Sequence, residues 1–182
     1  MINPDRTDCL HTQSVLSRLG PKNLHLDTLD LRSALSDGKT YDCIWSLSVV
    51  EHIAGQYDDR YAVQKMYETL EPGGRMILTI PVDRLFWDEY REQDAYSTQR
   101  AQPDGHYFFQ RYYTEAAIWE RLIAPTGQGP TLVRWFEETV QGRFAEYERR
   151  WMREGYDCTV DDPREIVDFY RGFSGWFNCW HR

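Results

Sequence analysis

No apolar run in this 182-residue chain approaches the roughly 20 residues that a bilayer-spanning helix requires, so a membrane protein is not expected. The opening residues, MINPDRTDCL, have neither the basic start nor the apolar middle of a secretory signal. Cysteine is sparse and scattered: Cys9, Cys43, Cys158 and Cys179 include no C-x-x-C pair. The even count permits two disulfides, but a chain of this size has room for a core without them, and Cys43 falls in a strand expected to be buried. Reduced thiols and a cytoplasmic location are therefore expected. Positive charge is short as well. The 21 Lys and Arg against 29 Asp and Glu leave a net charge of −8, which argues against a nucleic-acid backbone or an anionic membrane as the main partner. G-x-S-x-G, P-loop and G-x-G-x-x-G motifs are also missing, which removes the α/β-hydrolase, nucleoside triphosphatase and ordinary dinucleotide-binding readings. His52 and His106 have no ligand spacing with nearby acids, so no metal is expected.

What the chain does have centres on YDCIWSLSVVEHIAGQYDDRYAVQKMYETLEPGGRMILTIP, from Tyr41 to Pro81. Asp42 to Leu47 is short and mostly apolar, as a parallel strand covered on both faces would be. From about Asp59 the period changes: Ala62, Met66 and Leu70, flanked by Val63 and Tyr67, give a helix one apolar stripe. Glu71-Pro72-Gly73-Gly74 ends that helix, because Pro lacks the donor and Gly tolerates the left-handed turn. Met76 to Ile80 is a second apolar strand. Strand, helix and strand with short joins make a βαβ unit. Ligands of such sheets bind beyond the carboxyl ends of the strands, which here means Ser46 to His52 and Pro81 to Trp87.

Elsewhere the signals are shorter. A helix over Val15, Leu16 and Leu19 is expected to end at Gly20, and Leu24 with Leu26 suggests a strand. Asp37-Gly38 marks a turn. The polar stretch from Asp83 to Gly105 is long enough to be a lid or substrate loop. Thr114-Glu115 opens a helix to about Ala124, and Thr131 to Phe136 reads as a strand. Helices are expected from Val140 to Glu154, with Phe144, Tyr147 and Trp151 on one side, and from Asp162, with Ile166, Phe169, Tyr170 and Phe173 as the buried stripe. Aromatic residues make up 15% of the chain, concentrated after residue 85, which implies an aromatic core or an aromatic surface for a partner or ring-shaped ligand.

YDCIWSLSVVEHI followed by LEPGGRMILTIP resembles the second half of a class I S-adenosylmethionine-dependent methyltransferase. HYFFQRYYTEAAIWERLI resembles that family's next segment, and the likeness spans roughly Leu24 to Trp135. It implies S-adenosylmethionine as the donor. Asp27, with Thr28 beside it, matches the acid after the family's third strand, which faces adenine; a turn or helix-cap aspartate is the other reading. Ser46, Leu47 and Ser48 match the segment lining the methionine end of the donor, or are simply a strand end and turn. Methyl transfer from a sulfonium asks the protein mainly to align the acceptor and remove its proton. Glu51 and His52 suit that role, since His titrates near neutrality and a carboxylate can orient it; local capping and packing is the alternative. Trp87, His106, Tyr107, Arg111 and Tyr112, with Tyr113, form an aromatic and basic cluster for an acceptor, or a partly buried strand and surface stack.

The family's glycine turn and ribose acid have no counterpart. Gly20 is the only glycine before Asp37, and the elements that should precede Leu24 need far more than 23 residues, since one βαβ unit takes roughly 30. A shortened member, a one-piece remnant or a half-site completed by another subunit is expected, and a homo-oligomer paired through the gap in the sheet. The expected architecture is a single α/β, Rossmann-like domain: a truncated, mostly parallel sheet of about four strands, from Leu24, Asp42, Met76 and Thr131, flanked by helices. Residues 24–136 form the core and 137–182 a helical extension. Two functions are compatible: a methyltransferase acting on a small-molecule or glycan acceptor, or a non-catalytic module that binds a protein partner or itself.

Overall fold

The computed structural model describes residues 1–20, 23–36, 38–94, 101–154 and 170–178. The expected βαβ unit is there. Strand β1 (Tyr41–Leu47) lies parallel to β2 (Leu70–Thr79), and helix α3 (Asp59–Glu68) joins them. Asp58 caps α3, its carboxylate accepting from the backbone N–H of Arg60 at 3.1 Å and of Tyr61 at 3.3 Å. The apolar stripe then does what its spacing implies: Ala62, Val63, Met66 and Tyr67 are buried. Val63, Met66 and Tyr67 pack with Val50, Leu70 and Met76 and with Tyr113, Ala117, Leu122 and Ile123 in one apolar cluster. Ile44, Leu78 and Ile80 reach it from the inner face of the sheet.

The helix stops earlier than expected, with Thr69 as its carboxyl cap, so that Leu70 to Gly74 form the first half of β2. The register slips there, from Tyr41 opposite Leu70 to Cys43 opposite Arg75. Gly73 takes φ 83°, which a side chain would disfavour. Gly74 is confined differently: a Cβ would meet the Glu71 carbonyl at 2.8 Å and those of Asp42 and Tyr41 at 3.2 Å.

The single four-stranded sheet is not formed. Strands β3 (Trp87–Arg91) and β4 (Tyr107–Tyr112) make an antiparallel pair, and β5 (Leu132–Glu138) pairs antiparallel with β6 (Tyr170–Asn178). The Leu24 segment is no strand of the parallel sheet; its one ladder contact is a parallel bridge from Asp27 to Ile2. The stretch after Pro81 is likewise more ordered than a polar loop, because pairing with β4 satisfies the backbone of Trp87 to Arg91. Tyr170 and Phe173 lie on a strand, not a helix; the helix start expected at Asp162, with Ile166 and Phe169, lies outside the described residues, as do Asp37, Cys158 and Cys179. Among the described residues the architecture is mixed α/β with three small sheets.

Other helices follow their signals more closely. α1 (Arg6–Leu19) ends at Gly20 with φ 63°. The short α2 (Leu31–Ala34) is capped by Asp30, not Asp27. Thr114 caps α4 (Glu115–Ile118), which continues as a π-helical turn over Trp119–Ile123 and a final 3-10 turn to Thr126. α5 (Arg143–Glu154) carries Phe144 stacked on Tyr147; nothing is described of the Trp151 side chain. Among the described residues no helix is long and apolar enough to cross a membrane.

One polar knot ties α3 to the elements that follow it. Asp59, fully buried, accepts from the Tyr113 hydroxyl at 2.8 Å and Arg121 Nε at 2.9 Å, and lies 2.7 Å from Arg111 Nη1. Burial alone would raise its pKa, but the Arg121 hydrogen bond, the Arg111 charge and the Tyr113 hydroxyl outweigh it and hold the carboxyl below its usual value. Asp59→Ala is expected to cost about 3 kcal/mol in urea unfolding, the lower end for breaking a buried ion pair, since Arg111 keeps Asp88 and Arg121 keeps Asp58 as partners. Asp58→Ala should cost less, about 1 kcal/mol for the helix cap and up to about 1 kcal/mol for the part-exposed ion pair of its Oδ2 with Arg121 Nη2 at 3.0 Å. Because the folded pKa of Asp59 is depressed, its contribution is present above about pH 4 and fades as pH falls through the lowered value, so the gap between wild type and Asp59→Asn should narrow in acid.

Candidate functional site at the strand rim

At the carboxyl end of β1 the chain turns through Ser48, a non-glycine residue at φ 51°. The turn is held to the end of β2, since the Ser48 N–H lies 2.9 Å from Thr79 Oγ1 and 3.1 Å from its carbonyl. A 3-10 turn, Val50–His52, follows and drives Val50 and Glu51 into the core. β4 closes over this rim. Its end is bridged to the segment leaving β2, with Tyr113 N–H donating to the Pro81 carbonyl at 3.2 Å and Asp83 N–H donating to the Tyr113 carbonyl at 2.9 Å.

Glu51 is 1% exposed. Burial raises its pKa to about 7, against the opposing effect of hydrogen bonds from its own backbone N–H and the Ser48 hydroxyl. Its Oε2 and the buried Ser46 Oγ have no hydrogen-bond partner among the described residues. The described hydrogen bond of the His52 ring is with Phe109 rather than with Glu51. The imidazole Nδ1 lies 2.6 Å from the Phe109 carbonyl, with the ring edge-on to the Phe109 ring at 5.1 Å. A carbonyl only accepts, so in the neutral ring Nδ1 carries the proton and Nε2 the lone pair.

Trp87 stacks on Tyr112 with centroids 4.4 Å apart and planes 8° from parallel. The Trp87 indole donates to Asp83 Oδ2 at 2.9 Å, which keeps the stack beside the exit of β2. His106 and Tyr107 sit at the other end of β4, about 17 Å along the strand from Tyr112. His106 faces Asp104 at 3.4 Å. Arg111 is engaged by Asp59 and, through Nε at 2.9 Å, by Asp88, so its guanidinium belongs to the buried knot. Asp27 and Thr28 are exposed, and Asp27 is bonded through its backbone to Met1 and Asn3.

The structure thus gathers Ser46, Leu47, Ser48, Glu51 and His52 on one rim, with the Trp87–Tyr112 pair by the exit of β2. It ties His106 with Tyr107 and Asp27 with Thr28 to other surroundings. Asp59, Tyr113 and Arg121 were not legible as a group. Asp58-Asp59 reads as a helix start, and nothing local says that only one of the two acids caps while the other turns inward. A shallow groove lined by Glu115, Ile118, Trp119, Ile123, Val133 and Trp135 lies between α4 and β5, not at the rim. Among the described residues no group of three or more His, Cys, Asp or Glu is placed to hold a metal ion. No protein-family model matches this chain, and no curated protein matches it.

The raised Glu51 pKa has a measurable consequence. The protonated form favours the fold fully below the unfolded value near pH 4.5, and this support is lost as pH rises through about 7. Glu51→Gln should come close to wild type in melting temperature at pH 4 and exceed it at pH 8, by a stability difference on the order of 3 kcal/mol. Equal melting temperatures at both pH values would mean that Glu51 reaches water.

Proposed function

We propose that this is a cytoplasmic S-adenosylmethionine-dependent methyltransferase-like protein acting on a hydroxyl of a small-molecule or glycan acceptor. The observation that carries the reading is the parallel β1–α3–β2 unit with His52 at its carboxyl rim, its Nδ1 tied to a backbone carbonyl. That tautomer leaves Nε2 as the base. The acceptor would lie on the exposed side of the Trp87–Tyr112 stack, and its hydroxyl proton would pass to Nε2 of His52. Glu51, close to half protonated near neutral pH, serves here as a buried support for the turn.

The residues present line one wall of a donor site and no more. Ser46 to Ser48 supply backbone at the strand end, while Leu47 is 56% exposed with no described element facing it. Asp27 and Thr28 would have to serve the adenine from a segment with no ladder to β1. A second reading, a non-catalytic module that binds a protein or itself, is favoured by the apolar residues left open on that side of β1 and β2.

Calorimetric titration of the folded chain with S-adenosylmethionine and with its demethylated product separates the two. Heat at micromolar ligand is expected, and it should persist in His52→Ala, whose loss belongs to turnover. A folded chain that takes up neither ligand would sink the enzyme reading and leave the binding module.

A further inference from the structure

Among the described residues, the β1–β2 sheet is covered on one side only. Ile44, Met76 and Leu78 face the core, while the alternate residues Cys43, Trp45 and Leu47 stand in register with Arg75, Ile77 and Thr79 on the other face, all of them exposed. Trp45 is 69% exposed, Leu47 56% and Ile77 44%, on adjacent strands with nothing described above them. Parallel sheets have both faces covered in almost all proteins that use them. Three large apolar side chains grouped in this way form a patch, not scattered exposure.

We propose that this face is a homodimer interface, on which a second copy of the chain packs sheet to sheet. Three features point to a second copy. The face carries three large apolar side chains on two paired strands, so two such faces can stack at the ~10 Å spacing of packed sheets without any further element. It exposes on the order of 500 Å² per copy, so a pair removes about 1,000 Å², the lower limit for a specific interface. Its charge pattern also selects an arrangement. Arg75 is the only formally charged side chain on the face, set at the amino end of the paired stretch, and Thr79 is at the other end. A two-fold axis across the strands places Trp45 against Trp45 and Ile77 against Ile77 of the two copies. Each Arg75 then meets a threonine hydroxyl, with the two guanidinium groups about 13 Å apart. An axis along the strands would bring the two charges together instead. This inference deepens the second reading above, from the same open face of β1 and β2, and requires no methyltransferase activity.

An interface this small gives a weak dimer, with a dissociation constant in the micromolar range. Sedimentation equilibrium of the full chain, from low to several hundred micromolar, should show the mass rising from monomer toward dimer. Trp45→Lys and Ile77→Lys, each checked by circular dichroism for a folded chain, should weaken association at least tenfold, while Leu85→Lys, at an exposed position off this face, should leave it unchanged. Alkylation of Cys43, followed at the peptide level, should slow severalfold at high concentration in wild type but not in Trp45→Lys. A wild-type chain that stays monomeric throughout would overturn the proposal and leave the face bare or for a different protein. A dimer that both lysine variants leave intact would overturn it too, by placing the contact on another surface.

Discussion

A carboxylate shut away from water governs how this chain is put together. Asp59 begins α3, yet its partners Arg111, Tyr113 and Arg121 come from β4, from the residue after it and from the turn following α4. A buried charge is tolerated only when it is paired and hydrogen-bonded, so each partner must arrive for the others to be satisfied. Burial would make Tyr113 and Asp59 more willing to hold protons. The two guanidinium groups reverse that for Asp59, while the Tyr113 pKa remains raised, first by its own burial and then by the adjacent carboxylate. The knot therefore stays ionic at neutral pH and welds the antiparallel pair β3–β4 to the parallel unit.

That weld explains the geometry of the rim. With Tyr113 held by Asp59, the end of β4 is drawn against the segment leaving β2, and Phe109 is carried to His52. The described hydrogen bond of the imidazole is with a backbone carbonyl rather than with the neighbouring carboxylate, which freezes one tautomer without adding a charge. Glu51 and Ser46 are left with buried oxygens that lack partners among the described residues. Such atoms destabilise a fold unless something meets them, and here both belong to the rim.

The opposite side of the sheet follows another logic. α3 covers one face of β1 and β2, and the Trp45–Ile77 face has nothing described against it. Cys43 was expected to be buried because its strand reads as continuously apolar, yet it is exposed. A run such as Cys43-Ile44-Trp45 cannot reveal whether its second face has found a cover.

Much of the fold was legible from residues alone. The α3 stripe, the helix start at Thr114, the helix end at Gly20 and the two parallel strands follow from spacing, from side-chain oxygens placed to receive N–H groups, and from the freedom of glycine. These are local, and neighbours in sequence suffice to specify them. Partnership across the chain was not legible. Whether Leu24, Trp87 or Thr131 would join β1 depended on which strand edges met, and backbone hydrogen bonding is the same for every candidate. His52 being aimed by Phe109, and Asp59 by two arginines more than 50 positions away, likewise needed the tertiary structure, because only folding brings charges and carbonyls that far apart in sequence within 3 Å.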